Sequence, residues 1–357
     1  MFGVIAWLFT LPIAAILLYA LKANQVLLYF AGSVSWADYV FHYPVWIGLI
    51  IVVELTGPFV VLDLASLASR LAPSKLEKNR RLLAYIRLTL AAACILYVPV
   101  RVLLDTTRVN DDRVRLALPD LPSEFHGLTI TLVGDLQVDR YTGDSKINRV
   151  HTIVNNAGPD FLVNSGDNVT SGTAFLGRAG QAICAMKGSV ASVAVFGDHD
   201  FWSSPDSVRS LLVGCGWVFL DNAHRVFDYR GRRILFSGLT NVYASRLKDA
   251  ELDRFFDDAP AADLRILLTH QPAERVVSRA AARGYQLVLA GHTHGGQVVL
   301  HPFGVPFCPS MRETPYYTGV HHLGGTTVVI TDGVGLTLAP VRYHAPAEVT
   351  TVTLFKN

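Results

Sequence analysis

The sequence predicts an α/β domain that follows a membrane region. Hydrophobic residues make up 51% of the 357-residue chain and charged residues only 17%, against about 25% charged in typical soluble proteins. The first 64 residues hold only four of the 31 basic and 29 acidic side chains, namely Lys22, Asp38, Glu54 and Asp63. Further along, short uncharged apolar segments alternate with amphipathic stretches, a pattern typical of buried strands covered by helices. The net charge of +2 gives no electrostatic reason to expect a nucleic-acid partner.

Residues 1–105 are predicted to form the membrane region, and its first span is expected near residues 2–21. That segment is an uncharged apolar run, long enough to cross about 30 Å of hydrocarbon as a helix. A cleaved signal peptide is the alternative interpretation. It is disfavoured because no basic residue precedes Phe2 and no clear small-residue cleavage site follows the run.

Two further spans are expected near residues 45–62 and 83–104. The first is interrupted only by Glu54, for which the sequence shows no partner. The second has the apolar core Leu88–Val100, with an arginine at each end that can extend to the membrane surface.

The loop between these two spans predicts the orientation of the chain. It is rich in basic residues and contains a single acid; the charged residues are Arg70, Lys75, Glu77, Lys78, Arg80 and Arg81. Short loops of this kind remain on the cytoplasmic side. We therefore expect an integral protein of a bacterial inner or plasma membrane, in contact with the lipid bilayer, with an extracytoplasmic C-terminal domain. A missed or additional helix would invert this orientation.

Residues 106–127 are expected to be an extended linker, because Pro119 and Pro122 fall within it. Residues 128–357 then form the predicted domain. Three of the four cysteines lie there, so at least one has no partner within the domain. The sequence alone does not pair them, although a bridge between Cys184 and Cys215 would suit an extracytoplasmic location.

Five predicted strands each end in a potential metal ligand. The strands are Leu128–Val133, Phe161–Asn164, Val190–Phe196, Ile266–Thr269 and Gln286–Ala290, and four of them are followed by a glycine and then the ligand. Ligands in open α/β sheets bind beyond the carboxyl ends of strands. The side chains expected to meet there are Asp135, Gln137, Asp167, Asp198, His270, His292 and His294.

This mixture of carboxylates and imidazoles suits Mn²⁺, Fe²⁺ or Zn²⁺ better than Ca²⁺. Seven ligands are too many for one tetrahedral ion but suit two divalent ions that share a carboxylate. Two such ions form the clamp used for displacement at phosphorus. One Gly-Asp or His-x-His pair alone would be ordinary turn chemistry, but five such elements after buried strands favour a metal cluster.

These motifs resemble the calcineurin-like metallophosphoesterase superfamily, whose pattern is Gly/Ser-Asp-x-His, Gly-Asp, Gly-Asn-His-Asp/Glu, a single His and Gly-His-x-His. The match runs from Leu128 to the C-terminus. The segments 291–297 and 340–342 look like the membrane-associated or exported bacterial branch. The resemblance implies a four-layered α/β/β/α sandwich. The segments Arg233–Ser237, Thr326–Thr331 and Glu348–Leu354 would then fit its second sheet.

The resemblance also implies roles for individual residues. Asp135 and His294 would hold one ion, and Asp167 would bridge both. His270 and His292 would hold the second ion together with residue 198. His199 would face the phosphoryl group or the leaving group, with Asp200 a candidate to orient it.

Two positions depart from the family pattern. Residue 137 is Gln where the family has His, and residue 198 is Asp where it has Asn. An amide oxygen is a harder and weaker ligand than imidazole for these ions. An added carboxylate strengthens cation binding but makes the bound ion less electrophilic.

The predicted function is therefore an integral-membrane, metal-dependent phosphoesterase of the phosphodiesterase or pyrophosphatase type. A hydroxide bridging the two ions would attack a phosphate ester or pyrophosphate. Three helices exceed what simple tethering requires, so a lipid-linked substrate is one candidate. Arg140, Arg312 and Arg342 are candidates for binding its phosphate. The alternative, suggested by the two altered ligands, is a non-catalytic metal-binding or partner-binding membrane module.

Overall fold

The computed structural model describes residues 32–69, 76–118, 120–301 and 304–356. The expected span at 2–21 lies outside the described residues. Within the described part, two long helices precede a domain built on two sheets.

The two helices correspond to the second and third predicted spans. Helix α1 runs over Tyr43–Ser69 and helix α2 over Leu76–Thr107. Both are long and apolar enough to cross a membrane, and only 11% and 6% of their apolar stretches are buried within the structure. The helices lie against each other and are joined by an ion pair between Arg87 and Asp63 at 2.5 Å. Their unburied apolar surface is therefore available to lipid.

The domain contains two mixed six-stranded sheets. The first has the order β1-β12-β2-β3-β4-β5 and the second β10-β11-β9-β8-β7-β6. The strands are β1 Val109–Leu118, β2 Thr129–Val133, β3 Phe161–Asn164, β4 Ala191–Ala194, β5 Val218–Phe219, β6 Ala223–Tyr229, β7 Arg232–Leu239, β8 Leu264–Thr269, β9 Leu287–Ala290, β10 Gly319–Leu323, β11 Thr326–Ile330 and β12 Ala347–Lys356.

The sheets pack face to face and helices cover their outer faces. Ile130 and Phe161 of the first sheet meet Phe236 and Leu289 of the second in one buried cluster. The helices of the domain are α3 Asp144–Ala157, α4 Leu176–Cys184, α5 Asp198–Ser203, α6 Pro205–Gly214, α7 Asp249–Asp257 and α8 Glu274–Ala282. Helices α3, α4 and α6 cover the first sheet, and α7 and α8 cover the second. The predicted α/β/β/α sandwich, preceded by apolar helices, is confirmed.

Two details of the prediction are wrong. The expected linker at 106–127 contains β1, which pairs with β12 along its whole length. Its alternate residues Leu116 and Leu118 are buried, so the prolines that follow end a strand rather than mark a free linker. The segment predicted at 348–354 forms β12 in the first sheet, between β1 and β2, and not in the second.

The five ligand-bearing strands come from both sheets. Strands β2, β3 and β4 are parallel neighbours in the first sheet, and β8 and β9 are parallel neighbours in the second. Their carboxyl ends meet at one end of the sandwich, so the loops that follow them face each other across the gap between the sheets.

Candidate metal centre

The structure brings all seven predicted ligands together at this end of the sandwich. Six of them form two groups, and in each group one ligand atom per residue lies within 4.8 Å of the others. The outer group, at the cavity side, is Asp198, His270 and His292, and the inner group is Asp135, Asp167 and His294.

Distances within each group suit the sharing of one ion. In the outer group, His292 Nδ1 lies 3.0 Å from Asp198 Oδ2 and 3.3 Å from His270 Nε2. In the inner group, His294 Nε2 lies 3.4 Å from Asp135 Oδ1. Ligand atoms about 2.1 Å from a common ion have separations of this size. The donor sets therefore fit one divalent ion in each group.

Asp167 connects the two groups. Its Oδ2 lies 3.2 Å from His270 Nε2 in the outer group and 3.3 Å from the Gln137 amide in the inner group. A carboxylate in this position is placed to bind both ions, as the resemblance implied for this residue.

Gln137 lies in the inner group, where the family has a histidine. Its side-chain nitrogen is 3.3 Å from His294 Nε2, and its buried Oε1 has no hydrogen-bond partner in the structure. An unpaired buried acceptor is costly. The amide nitrogen faces the inner group and cannot bind a cation, so the amide would have to turn over for its unpaired oxygen to become a ligand.

Backbone strain is concentrated on these ligands. Five of the seven have a positive φ: Asp135, Gln137, Asp167, His292 and His294. This region is uncommon for residues other than glycine, and such strain clusters at functional sites. The strand ends thus hold side chains in directions that ordinary turns would not.

Close packing at two glycines explains why glycine precedes ligands at these strand ends. A Cβ atom on Gly197 would lie 2.2 Å from Asp167 Oδ1, and one on Gly291 would lie 2.2 Å from Asp135 Oδ2. Any larger residue would displace a ligand carboxylate.

The charges of the cluster compensate one another in the structure. Burial opposes ionisation of His270, but Asp167 and Asp198 raise its pKa well above the usual value. Burial likewise opposes the charging of His292, yet Asp198 and Glu313 raise its pKa to about 9. His294 is the opposite case, because burial and the Arg342 charge keep its pKa well below the usual value. Two imidazolium groups thus supply positive charge that cations would supply in a metal-bound site.

His199 lies at the expected place beside the cluster. Its Nδ1 donates to the Thr170 carbonyl, and its Nε2 lies 4.0 Å from Asp167 Oδ2 and 3.3 Å from Thr337 Oγ1. The ring is therefore held with Nε2 towards the cavity. This leaves Nε2 free to exchange a proton there.

Asp200 does not orient His199, contrary to the expectation. Its carboxylate accepts hydrogen bonds from the backbone of Asp167, Asn168 and Gly197 at 2.9–3.0 Å. It therefore fixes the two loops that carry Asp167 and Asp198. Adjacency to His199 in sequence was misleading because the first turn of α5 points the two side chains in different directions.

The structure also rejects two of the three arginines as phosphate ligands. Arg140 forms an ion pair with Asp38, ahead of α1, and so ties the N-terminal segment to the domain. Arg342 is fully buried and donates to five backbone carbonyls, those of Asp332, Gly333, Gly335, Ala345 and His294. Arg342 is thus a structural support under the inner group. Arg312 is exposed in the turn Pro309–Arg312 next to the cavity, and its role stays a prediction.

Three residues around the outer group were not anticipated. Gln271 donates to Asp198 Oδ2 at 2.7 Å, and Glu313 Oε1 lies 3.2 Å from His292 Nε2. The Tyr243 hydroxyl donates to Glu313 at 2.6 Å. Gln271 directly follows His270 and could have been suspected, whereas Tyr243 and Glu313 lie outside any strand-end motif.

The fold and the paired ligand groups define a metal-dependent phosphoesterase type of domain. In agreement, residues 128–296 match the family described as calcineurin-like phosphoesterase. The matched segment, residues 128–296, belongs to this superfamily.

Similar proteins occur in bacteria and in animals. A transmembrane protein with a metallophosphoesterase domain from Danio rerio is 28% identical over 68% of this chain. Phosphodiesterase YaeI of Escherichia coli is 27% identical over 63% of this chain and 81% of its own length, and the uncharacterized metallophosphoesterase YkuE of Bacillus subtilis is 25% identical over 66% and 81%. This chain spans only 56% of the Danio rerio protein.

Proposed function

We propose that this protein is a membrane-held, metal-dependent hydrolase of a phosphodiester or pyrophosphate bond. The observation that carries the proposal is the position of Asp167 between two ligand groups that each fit one ion. Asp135, Gln137 and His294 would hold one ion, and Asp198, His270 and His292 the other. Two divalent ions such as Mn²⁺, Fe²⁺ or Zn²⁺ would supply an activated water and stabilise charge on the phosphoryl oxygens.

In the proposed reaction, the oxygen of water bonds to phosphorus and the ester or anhydride P–O bond to the leaving group breaks. One proton of the water is transferred to the leaving oxygen, and the other is released to solvent from the product phosphate. His199 is placed to hold or deliver that proton, because its Nε2 faces the cavity while Nδ1 is fixed by the Thr170 carbonyl.

The competing function is a metal-binding module without turnover, and the two altered ligands favour it. The experiment that separates the two uses the purified full-length protein with Mn²⁺ and bis(4-nitrophenyl) phosphate. We expect turnover that a chelator abolishes and that Asp167→Asn lowers by about 10³-fold or more, since one substitution affects both ions. Metal bound per chain, measured by mass spectrometry, should fall as well.

Asp144→Asn is the matched control, because Asp144 is exposed on α3 and pairs only with Arg178. This variant should keep both metal content and rate. If the protein binds metal but shows no turnover with Mn²⁺, with Fe²⁺ or with Zn²⁺, the non-catalytic module would be favoured instead.

We also propose that the domain is extracytoplasmic. The start of α1 and the end of α2 both pack on the domain through Ile50 and Val98, so the helix ends that flank the predicted basic loop, Ser69 and Leu76, are the ends away from the domain. That loop is expected on the cytoplasmic side. The disulfide between Cys184 and Cys215, with Cα atoms 4.9 Å apart, supports an oxidising compartment for the domain.

The orientation can be tested by protease treatment of intact cells and spheroplasts. We expect the domain to be cleaved without lysis of the membrane, while a cytoplasmic marker stays intact. Protection of the domain until the membrane is permeabilised would reverse the orientation.

A further inference from the structure

The cavity over the two ligand groups is lined in part by a residue of a membrane helix. Its volume is about 410 Å³, and Asp167, Asp198 and His292 line it. Trp46 of α1 and Leu338 of the domain line the same cavity. Metal-ligand candidates and large apolar side chains thus share one cavity.

The domain packs along α1 for about three helical turns. Ile47 and Ile50 pack with Val341 and Tyr343, and further along the helix the backbone N–H of His301 donates to Glu54 at 3.2 Å. Glu54 lies about 17 Å along the helix from Tyr43. The contact with Glu54 supplies the partner that the sequence did not show.

This packing places part of the domain beside the outer half of the span. The apolar run of α1 starts at Val45, and a span needs about 20 residues. Glu54 lies about 14 Å along that run, so His301, which contacts it, lies close to the middle of the span. On the same parts of the helices, Val52, Val100 and Leu103 have exposed side chains.

Large apolar side chains of the domain are exposed on this side. Leu338 is 75% exposed, Val305 63% and Phe307 52%. Trp36 and Tyr39, just before α1, are also exposed, as expected of an aromatic belt at a membrane surface. Phe307 pairs with Leu300, and Leu338 precedes Ala339; Leu300 and Ala339 both belong to the cluster that packs on α1. These exposed apolar side chains therefore lie next to the membrane helices.

We propose that the substrate is a membrane lipid whose phosphate enters the cavity while its hydrocarbon chain stays in the bilayer. The proposal rests on the proposed phosphoesterase function and specifies its substrate class. Trp46 and Leu338 would contact the first part of the chain, and the phosphate would bind at the ions that the two ligand groups would hold. The hydrolysis step is the one given above, with either the lipid alcohol or the head group as the leaving group.

The test compares two kinds of substrate on the full-length protein in nanodiscs with Mn²⁺. The lipid substrates are phosphatidylglycerol, a lipid phosphodiester, and farnesyl pyrophosphate, a lipid pyrophosphate. The soluble substrate is bis(4-nitrophenyl) phosphate. We expect Leu338→Ser and Trp46→Ala to lower kcat/KM for the hydrolysed lipid at least five times more than they lower kcat/KM for the soluble diester.

Val213→Ser is the matched control, since Val213 is 55% exposed on α6 and does not line the cavity. It should change neither rate. Because Leu338 is so exposed, its substitution should not affect folding. The Leu338→Ser variant therefore still tests the proposal if the Trp46→Ala variant misfolds.

The outcomes separate the two proposals. Turnover of the soluble diester with no turnover of either lipid would overturn the lipid proposal and leave the phosphoesterase intact. An equal loss on both substrate types would also overturn it, because the apolar wall would then support the site in general. Absence of turnover on every substrate would overturn the phosphoesterase proposal itself.

A second measurement does not depend on activity. Leu338→Cys and Val213→Cys are labelled with an environment-sensitive fluorophore in the full-length protein in phosphatidylglycerol vesicles. We expect a blue shift and quenching by doxyl-labelled lipid at position 338 only. The same emission at both positions would show that the edge of the cavity at Leu338 does not reach the bilayer, and it would overturn the proposal.

Discussion

The inner and outer ligand groups differ in composition and in what surrounds them. The outer group has one carboxylate and two imidazoles and borders the cavity, with Glu313 beside His292. The inner group has two carboxylates, one imidazole and the Gln137 amide; its Asp167 and His294 also line the cavity, but none of its side chains is as accessible as His292. Beneath the inner group lies Arg342, whose Nη2 is 3.2 Å from His294 Nδ1. One fold thus places an acid next to one site and a buried cation next to the other.

This difference indicates unequal sites. The amide oxygen of Gln137 and the neighbouring positive charge weaken cation binding in the inner group. The additional carboxylate of Asp198 strengthens binding in the outer group. We expect the outer ion to bind more tightly and the inner ion to limit activity at low metal concentration.

The largest difference between the two sites should appear when the two unusual ligands are exchanged for those of the family pattern. Gln137→His should lower the Mn²⁺ concentration for half-maximal activity by about tenfold, because imidazole binds these ions better than an amide. Asp198→Asn should weaken the outer ion about tenfold, while the rate at saturating metal holds or rises because the ion becomes more electrophilic. Activity titrations with Mn²⁺ measure both effects.

Two further variants serve as controls for these titrations. Gln286→His changes an amide that accepts the Arg265 N–H far from the site, and Asp144→Asn removes an exposed carboxylate. Both should reproduce the parent titration. If Gln137→His and Asp198→Asn also reproduce it, neither residue is a ligand and the proposed inequality of the sites is wrong.

How far the sequence predicts the site depends on the kind of signal. The seven candidate ligands were found because each follows a buried strand, and parallel strands that end together bring their next residues together. The roles of the arginines were not predicted correctly, because the sequence does not say whether a guanidinium is exposed. Arg342 is 0% exposed and binds backbone carbonyls, a role that only the folded loops define.

The fold shows the same limit. Uncharged strands in the two sheet interiors were predicted to within a few residues, as for Phe161–Asn164. The edge strand β1 was not predicted, because its charged residues and the prolines that follow it are typical of a linker. It is held by pairing with β12, more than 200 residues away. Such long-range pairing leaves no local signal.

The smallest expected effect concerns a second buried cation on the inner side. Lys146 of α3 is 6% exposed, and its Nζ donates to the Val334 carbonyl at 3.2 Å. Burial, with repulsion from Arg342, lowers the pKa of Lys146 to about 7. In the unfolded chain a lysine titrates near 10.4. Between these values the unfolded state binds more protons, so the free energy of unfolding rises with pH, by at most about 1.4 kcal/mol per pH unit.

Lys146→Met removes this dependence, because methionine fills the site without a titrating group. From pH 8 to pH 9 we expect the Tm of the parent to rise relative to that of the variant by about 2–4 °C, measured by thermal unfolding of metal-free protein in detergent. Lys187→Met, at an exposed lysine, should leave the parent's pH dependence unchanged. Parallel curves for parent and Lys146→Met would mean that Lys146 keeps its proton in the folded protein, so that Lys146 and Arg342 would both carry positive charge on the inner side.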